Sequence, residues 1–144
     1  MNNVCVHGLG YIGLPTALLL ANSGFNVVGV DTNENVVNSV NMAQLHIVEN
    51  GLDNLLITAV ENKTLFAQNS PTEADIHIIC VPTPCIMSSP EVKSDLSYVE
   101  AAISNIAPVY RKSDLIVLES TVPVGATEQL EQIFRKQRSD IETL

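Results

Sequence analysis

The chain has 144 residues, 46% of them hydrophobic, and a formal net charge of -9. That length suffices for one globular domain and hardly for two, and the excess of acidic residues argues against a nucleic-acid partner because the chain's field repels phosphate backbones. No apolar run is long enough to cross a bilayer, and the first residues lack the positive charge of a signal peptide. We therefore expect one cytoplasmic domain over residues 1–144, with no membrane partner.

The first half of the chain alternates strand-like and helical segments. Strands are expected where short apolar runs end in turn residues, and helices where apolar residues recur every three to four positions. Asn33 is placed to cap one helix, and Gly24 to end another. The predicted segments are a strand at 3–7, a helix at 11–23, a strand at 26–30, a helix from 33 to about 43, a helix at 52–62 and a short edge strand at 65–68.

The second half continues this alternation. Residues 76–81 form a continuous apolar run of the kind found in strands buried on both faces. The segments that follow are a loop at 85–94, a helix capped by Asp95 or Ser97 and ending at Ile106, a strand at 115–118 and a helix at about 125–138. Strands alternating with helices predict an α/β fold, Rossmann-like and doubly wound, with a mainly parallel sheet and helices on both faces.

The turn after the first strand reads Gly8-Leu9-Gly10-Tyr11-Ile12-Gly13, a G-x-G-x-x-G fingerprint that opens a helix. In dinucleotide-binding folds Gly8 would permit the tight turn, Gly10 the approach of a pyrophosphate, and Gly13 the close packing of helix on strand. The pyrophosphate then sits on the helix N-terminus, which compensates for the few lysines and arginines. Tyr11 and Ile12 are placed to line a cofactor, although core packing is an equal interpretation for Ile12.

Asp31 ends the second strand, 23 residues after Gly8, where an acid is expected to bind the adenosine ribose hydroxyls. Its carboxylate would repel the 2′-phosphate of NADP, so NAD is the predicted cofactor. The alternative is a glycine turn that binds no ligand. The combination of strand, fingerprint, helix and acid favours the cofactor.

The carboxyl ends of the central strands of such a sheet meet at the crevice where ligands bind. Val81, Pro82 and Thr83 lie at one of these ends and are candidates for cofactor contact; a plain proline-bounded turn is the alternative. Ser120 and Thr121 follow the last strand at the same edge, where their hydroxyls should face the nicotinamide end of the cofactor. Helix capping alone would also explain these two residues.

The cysteines give no disulfide framework, and no metal site is predicted. Cys5 and Cys80 fall in strand-like runs and read as buried small hydrophobes, whereas Cys85 falls in a proline-rich loop. His77 and Cys80 are three residues apart on one strand, so their side chains point to opposite faces and cannot share a metal. His7, just before the glycines, reads as a strand-end residue with its polar atoms satisfied.

Several motifs together resemble the UDP-glucose and UDP-N-acetylmannosamine 6-dehydrogenase family, particularly its mannosamine branch. The resemblance covers almost the whole chain in family order. Two departures stand out: His7 replaces the usual apolar residue, and Asn50 stands where proline is frequent. The matching stretches are Gly8 to Ala17, Gly29-Val30-Asp31, His46-Ile47-Val48-Glu49, Val81-Pro82-Thr83-Pro84, Tyr98-Val99-Glu100 and Glu119-Ser120-Thr121-Val122-Pro123-Val124-Gly125.

The resemblance implies NAD as cofactor and a UDP-sugar as substrate. It implies that Tyr11, Ile12, Asp31, Thr83 and Thr121 contact NAD, with Thr127 beside them, and that Thr121 is a polar group near the transferred hydride. The family reaction oxidises a sugar C6 alcohol to a carboxylate and reduces two NAD molecules. It proceeds through a thioester on a cysteine of a C-terminal domain.

By the same resemblance, the central dimerisation helix and the C-terminal sugar-nucleotide domain of the family would follow the NAD-binding segment. We therefore expect the 144-residue chain to bind NAD without catalysing the reaction, and the full-length parent to be a homodimer or larger oligomer. Two alternatives remain open on the sequence. One is a stand-alone NAD-sensing regulatory module, and the other is the cofactor domain of a β-hydroxyacid dehydrogenase.

Overall fold

The structure is a computed structural model that describes residues 2–87 and 93–141. Seven strands and five helices occur in these residues, together with a short 3-10 turn at Ala107–Val109. The strands are β1 (Asn3–His7), β2 (Asn26–Val30), β3 (Leu65–Gln68), β4 (Ile76–Ile79), β5 (Cys85–Ile86), β6 (Lys93–Ser94) and β7 (Leu115–Leu118). The helices are α1 (Gly13–Asn22), α2 (Glu34–Asn41), α3 (Leu52–Glu61), α4 (Ser97–Ile106) and α5 (Ala126–Gln137).

Five of the strands form one sheet in the order β3-β2-β1-β4-β7, and every neighbouring pair is parallel. The chain winds outward from β1 to β3, returns to β4 beside β1, and then winds outward to β7. The order of the strands reverses between β1 and β4, so the crevice at their carboxyl ends is where such a sheet binds ligands. The predicted doubly wound α/β fold is confirmed.

Each face of the sheet is covered by its own helices. One apolar cluster joins α1, α2 and α3 to alternate residues of β1, β2 and β3, such as Val4, Val27 and Leu65. A second cluster joins α4 and α5 to Ile79 of β4 and, around Phe134, to the 3-10 turn. Alternate residues of a strand project to opposite faces, so the two clusters use different residues of the same sheet.

Local signals fix the helix ends much as expected. Asn33 has an extended backbone and its side chain accepts a hydrogen bond from Asn35 N at 3.0 Å, which caps α2. Gly24 follows α1 at φ +94° and so provides the left-handed stop. At α4 the N-cap is Leu96 and not the predicted Asp95 or Ser97, although the Asp95 carboxylate, one residue earlier, accepts a hydrogen bond from Ser97 N at 2.9 Å.

Two details differ from the sequence-based expectation. The segment predicted as a loop at 85–94 contains the small antiparallel pair β5–β6, in which Cys85 pairs with Ser94; residues 88–92 of that segment lie outside the described part. Two-residue strands are too short to produce a periodic pattern, so sequence periodicity does not detect them. Helix α1 also begins at Gly13, two residues later than predicted, because the glycine-rich turn occupies Gly10 to Ile12.

In the described residues, no helix has both the length and the apolar character that crossing a membrane requires.

Candidate functional site

A cleft with a volume of about 760 Å³ lies at the carboxyl ends of the sheet strands, above the junction of β1 and β4. Its wall includes residues from all three regions that the sequence motifs indicate: the glycine-rich turn, the end of β2, and the ends of β4 and β7. The predicted cofactor residues that line it are Gly8, Gly10, Tyr11, Ile12, Asp31, Val81, Pro82, Thr83, Ser120 and Thr121.

The glycine-rich turn packs so closely against neighbouring backbone that two of its positions leave no room for a side chain. Gly8 has φ +87°, and a Cβ built on it would lie 2.8 Å from the carbonyl oxygen of Cys80. A Cβ on Gly13 would lie 1.7 Å from the carbonyl oxygen of Gly8. Both contacts are with backbone atoms, which cannot rotate away, so the turn requires glycine at these two positions.

The peptide groups of Leu9 are held from two sides. Its N–H donates to the Asp31 carboxylate at 2.9 Å, and its carbonyl oxygen lies 2.7 Å from Nε2 of His46. The Leu9 side chain is fully buried and its methyl groups pack over Gly29. The segment containing His46 therefore fixes the turn, a role that spacing alone did not assign to it.

The turn has the features of an anion site. A Cβ on Gly10 would meet nothing within 4 Å, so the cleft side of this residue is open. Ile12 occupies the N-cap of α1 and provides no side-chain cap. Within the first turn, Leu14 N already donates to Gly10 O at 3.1 Å and Pro15 has no N–H, so a ligand would be met mainly by the N–H groups of the preceding turn. No Lys or Arg is among the described residues that line the cleft. A diphosphate here would be held by peptide N–H groups and the helix dipole, and the cradle fits that group.

Asp31 is half-buried at the end of β2, where it faces the cleft. Besides Leu9 N, its carboxylate accepts a hydrogen bond from Asn33 N at 2.9 Å. The side chain of Asn69 donates to the Asp31 carbonyl at 3.0 Å and thereby ties the end of β3 to the end of β2. An acid held in this way presents its carboxylate to one end of the cleft.

The other end of the cleft carries two hydroxyl groups. Thr83 Oγ1 and Thr121 Oγ1 lie 3.2 Å apart, which brings the ends of β4 and β7 together as predicted. Ser120 differs from the expectation: its hydroxyl donates to Val81 O at 2.7 Å, so it points at the backbone of the neighbouring segment. The carbonyl after β4 has no strand partner there, and the serine supplies the missing donor.

The predicted residues at the helix start divide into two groups. Tyr11 and Ile12 are 63% and 58% exposed and line the cleft, so the core-packing alternative for Ile12 is wrong. Gly13 is buried beneath the turn, and Thr127 is exposed in the first turn of α5. Neither of these two residues is part of the cleft lining.

Several cleft residues were not predicted from the sequence. Asn69 and Pro71 follow β3, so they lie at the same carboxyl edge of the sheet. The strand order could therefore have indicated them as cleft residues. Tyr98 and Asn105 reach the cleft from α4. The spacing of residues in a helix does not indicate which side chains face a ligand, so Tyr98 and Asn105 could not be identified from the sequence pattern.

Glu119 also lines the cleft and joins it to a buried thiol. The Cys80 thiol donates to Glu119 Oε2 at 3.2 Å, and the hydroxyl of Thr16 donates to Oε1 at 3.4 Å. Burial, followed by the hydrogen bond and charge of Glu119, raises the pKa of Cys80 to about 12. Burial raises the pKa of Cys5 to about 11. Both thiols are protonated and unreactive at neutral pH, consistent with their interpretation as buried small residues.

These pKa shifts predict a selective labelling pattern. Iodoacetamide at pH 7.5 should modify the exposed Cys85 at least about 100-fold faster than Cys5 or Cys80, since the two buried thiols are protonated and shielded. Peptide mass spectrometry of the native chain measures the three rates, and the same reaction after unfolding in guanidinium should make them similar. Equal rates in the native chain would contradict the burial of Cys5 and Cys80.

His77 lies on the opposite face of the sheet from Cys80, as expected. Its side chain has neighbours on β1 that the sequence pattern did not predict. It pairs in register with Cys5 on β1, and Nδ1 of His77 lies 3.2 Å from Nε2 of His7. Burial lowers the pKa of His7 to about 3, with a further decrease from the nearby His77, so its imidazole is neutral. Spacing along one strand relates His77 only to the cysteine of that strand and does not reveal this pairing.

The fold agrees with comparisons to known proteins. The sequence model of the NAD binding domain of the UDP-glucose/GDP-mannose dehydrogenase family matches residues 2–143. The chain belongs to this family. Its cofactor is therefore NAD, and the alternative of a β-hydroxyacid dehydrogenase domain is set aside.

Curated relatives and solved structures give the same result. The chain is 49% identical over 138 residues to the NDP-N-acetyl-D-galactosaminuronic acid dehydrogenase of Ralstonia solanacearum, covering 96% of the chain and 32% of that protein. It is 47% identical over 140 residues to the UDP-N-acetyl-D-mannosamine dehydrogenase of Campylobacter jejuni, covering 97% and 34%. A solved UDP-D-ManNAc dehydrogenase from Pyrococcus horikoshii superposes with a TM-score of 0.91 at 34% identity, covering 99% of the chain and 34% of that structure. The chain thus spans about a third of the length of these relatives.

Proposed function

We propose that the cleft binds NAD with its pyrophosphate on the glycine-rich turn and its adenosine ribose on Asp31. The open side of Gly10, opposite the uncapped start of α1, is the observation that carries this assignment. The backbone N–H groups would bind the phosphates, and the Asp31 carboxylate would accept hydrogen bonds from the ribose hydroxyls. Tyr11 and Ile12 would cover the cofactor from the solvent side.

Thr83 and Thr121 would contact the nicotinamide end. Their hydroxyls are 3.2 Å apart at the end of the cleft opposite Asp31, which supports this placement. When bound, NAD supplies the hydride acceptor. Thr121 would position substrate or a reacting water beside it through a hydrogen bond, a supporting role, since a threonine hydroxyl is a poor acid or base at neutral pH.

We further propose that the whole protein oxidises the C6 alcohol of a UDP-N-acetylhexosamine, UDP-N-acetylmannosamine in the first instance. The balanced reaction consumes one water and two NAD⁺, and yields the uronate, two NADH and three protons. A thioester cysteine would be supplied by the part of the parent that corresponds to the other two thirds of the relatives. Cys5 and Cys80 do not suit that task, because each is buried with a raised pKa.

Calorimetric titration of the chain with NAD and with NADP tests the cofactor assignment. We expect NAD to bind and NADP to bind far more weakly. Replacing Asp31 by alanine should weaken NAD by about 10- to 100-fold, because a hydrogen bond to a charged group contributes roughly 1.5–3 kcal/mol. Asp31→Asn keeps one acceptor oxygen and removes the charge, so it should reduce the difference between the affinities for NAD and for NADP.

A matched control removes the same charge elsewhere. Asp53 is exposed in the first turn of α3 and does not line the cleft, so Asp53→Asn should leave both affinities unchanged. Equal binding of NAD by the chain and by Asp31→Ala would contradict the site. For the whole protein, NADH formation with UDP-N-acetylmannosamine, UDP-N-acetylgalactosamine and UDP-glucose identifies the sugar, and the expected yield is two NADH per sugar.

A further inference from the structure

Three residues that could bind a metal ion lie close together on one buried face of the sheet. None of them contacts the cofactor in the proposed mode of binding. The parallel register of β1 and β4 pairs Cys5 with His77 and His7 with Ile79. Residues two apart on a strand project to the same face, so Cys5, His7 and His77 share the face of the sheet opposite the cluster of α1, α2 and α3. Their exposures are 0%, 3% and 0%, so the cluster is buried.

The spacing of these side chains suits one small ion. One ligand atom from each residue lies within 4.8 Å of the others, and the two facing ring nitrogens are 3.2 Å apart. Two imidazole nitrogens at about 2.0–2.1 Å from a tetrahedral zinc are about 3.3 Å apart, and a thiolate at about 2.3 Å lies about 3.6 Å from each. The facing nitrogens are already close to this separation. The 4.8 Å bound exceeds the nitrogen–sulfur distance of such a site by about 1.2 Å.

A structural explanation alone accounts poorly for these residues. A hydrogen bond between the rings uses one nitrogen of each, and Nε2 of His77 is buried with no hydrogen-bond partner among the described residues. Buried imidazoles without full hydrogen bonding cost stability, whereas apolar residues would fill the same positions at no such cost. Coordination would use the two facing nitrogens, replacing their mutual hydrogen bond by bonds to the ion.

We propose that Cys5, His7 and His77 form a site for one zinc ion. One thiolate and two imidazoles are the donors that zinc prefers, and the set has no carboxylate to favour magnesium or calcium. Three protein ligands leave a fourth position for water. Binding releases the thiol proton of Cys5 as the sulfur–zinc bond forms, so no oxidant or reductant is required. His7 also lines the cofactor cleft, which gives the ion a route of entry.

Titration of the chelator-treated 144-residue chain with Zn²⁺ and with Co²⁺ tests the site. We expect one equivalent of zinc to bind and raise the melting temperature. Cobalt should give the intense thiolate-to-metal charge-transfer absorption of a tetrahedral site. Cys5→Ala should abolish that absorption and weaken zinc at least about 100-fold, and His77→Leu should weaken zinc similarly. Cys85→Ser, which removes the exposed thiol of β5, is the matched control and should change neither result.

Circular dichroism and melting curves show whether each variant is folded. Cys5→Ala replaces a buried small residue by another, so it decides the question even where His77→Leu does not fold. Three results would overturn the proposal: no stoichiometric zinc binding, a cobalt complex without the thiolate absorption, or an absorption that persists in Cys5→Ala.

Discussion

Replacing Gly13 by alanine is expected to lower the free energy of unfolding by about 3–5 kcal/mol, the upper range for a single overpacking substitution. The added Cβ would lie 1.7 Å from the Gly8 carbonyl oxygen and 3.0 Å from Cys80 Cβ. Relief requires α1 to move away from the turn, and the buried residues of α1 are part of the main apolar cluster. For a chain of 144 residues the melting temperature should fall by roughly 10–17 °C.

Gly24→Ala is the matched control for this experiment. Gly24 has φ +94°, but a Cβ there would meet nothing within 4 Å, so alanine suffers only the left-handed backbone penalty of about 1–2 kcal/mol. Thermal denaturation of the two variants separates backbone strain from steric conflict. If Gly13→Ala melted no lower than Gly24→Ala, the close contact between α1 and the glycine-rich turn would be incorrect.

Gly10→Ala should have the opposite effect: the fold should stay stable, and the affinity for NAD should fall. Its Cβ meets no protein atom within 4 Å, and the backbone at Gly10 is not in the left-handed region, so unfolding should change by less than about 1 kcal/mol. The methyl group would instead occupy the space through which the pyrophosphate approaches the turn. An overpacking cost of about 1–3 kcal/mol corresponds to a loss of NAD affinity of about 5- to 150-fold.

Calorimetry and thermal melting on the same preparation measure both halves of this prediction. Gly51→Ala provides the comparison for affinity, because Gly51 precedes α3, has open space around it and does not line the cleft. At φ +87° it carries the left-handed backbone penalty that Gly10→Ala avoids, so its melting temperature alone should fall. That variant is expected to bind NAD normally. Unchanged NAD affinity in Gly10→Ala would place the pyrophosphate elsewhere and would remove the main support for the proposed mode of binding.

Much of the fold was accessible from sequence because it rests on local, periodic signals. The runs that became β1, β2, β4 and β7 end in turn residues, and the helices between them carry apolar residues at helical spacing. The fingerprint also predicts which strand ends meet, since parallel strands with crossover helices place all carboxyl ends at one edge. Hence Thr83 and Thr121, 38 residues apart, were expected near each other and lie in contact.

The missed features depend on contacts that no local pattern encodes. The pairing of Cys5 with His77 requires the register of two strands separated by more than 70 residues, and a slip of two residues would have separated them. The bond between His46 and the Leu9 carbonyl arises from an irregular segment folding back over the turn. The direction of the Ser120 hydroxyl was decided by an unpaired carbonyl at Val81. The predicted roles of individual residues in binding NAD remain predictions.

The absence of Lys and Arg from the described lining of the cleft has a consequence for how this sequence can change over time. Every residue except proline carries a peptide N–H, so under the proposed mode of binding a codon change at Tyr11 or Ile12 would alter the surroundings of the phosphates and leave their ligands in place. Vulnerability is concentrated in the glycine codons, where any substitution adds a Cβ. Selection can therefore remodel what the cleft contacts around the cofactor while the anion cradle persists through long periods of drift.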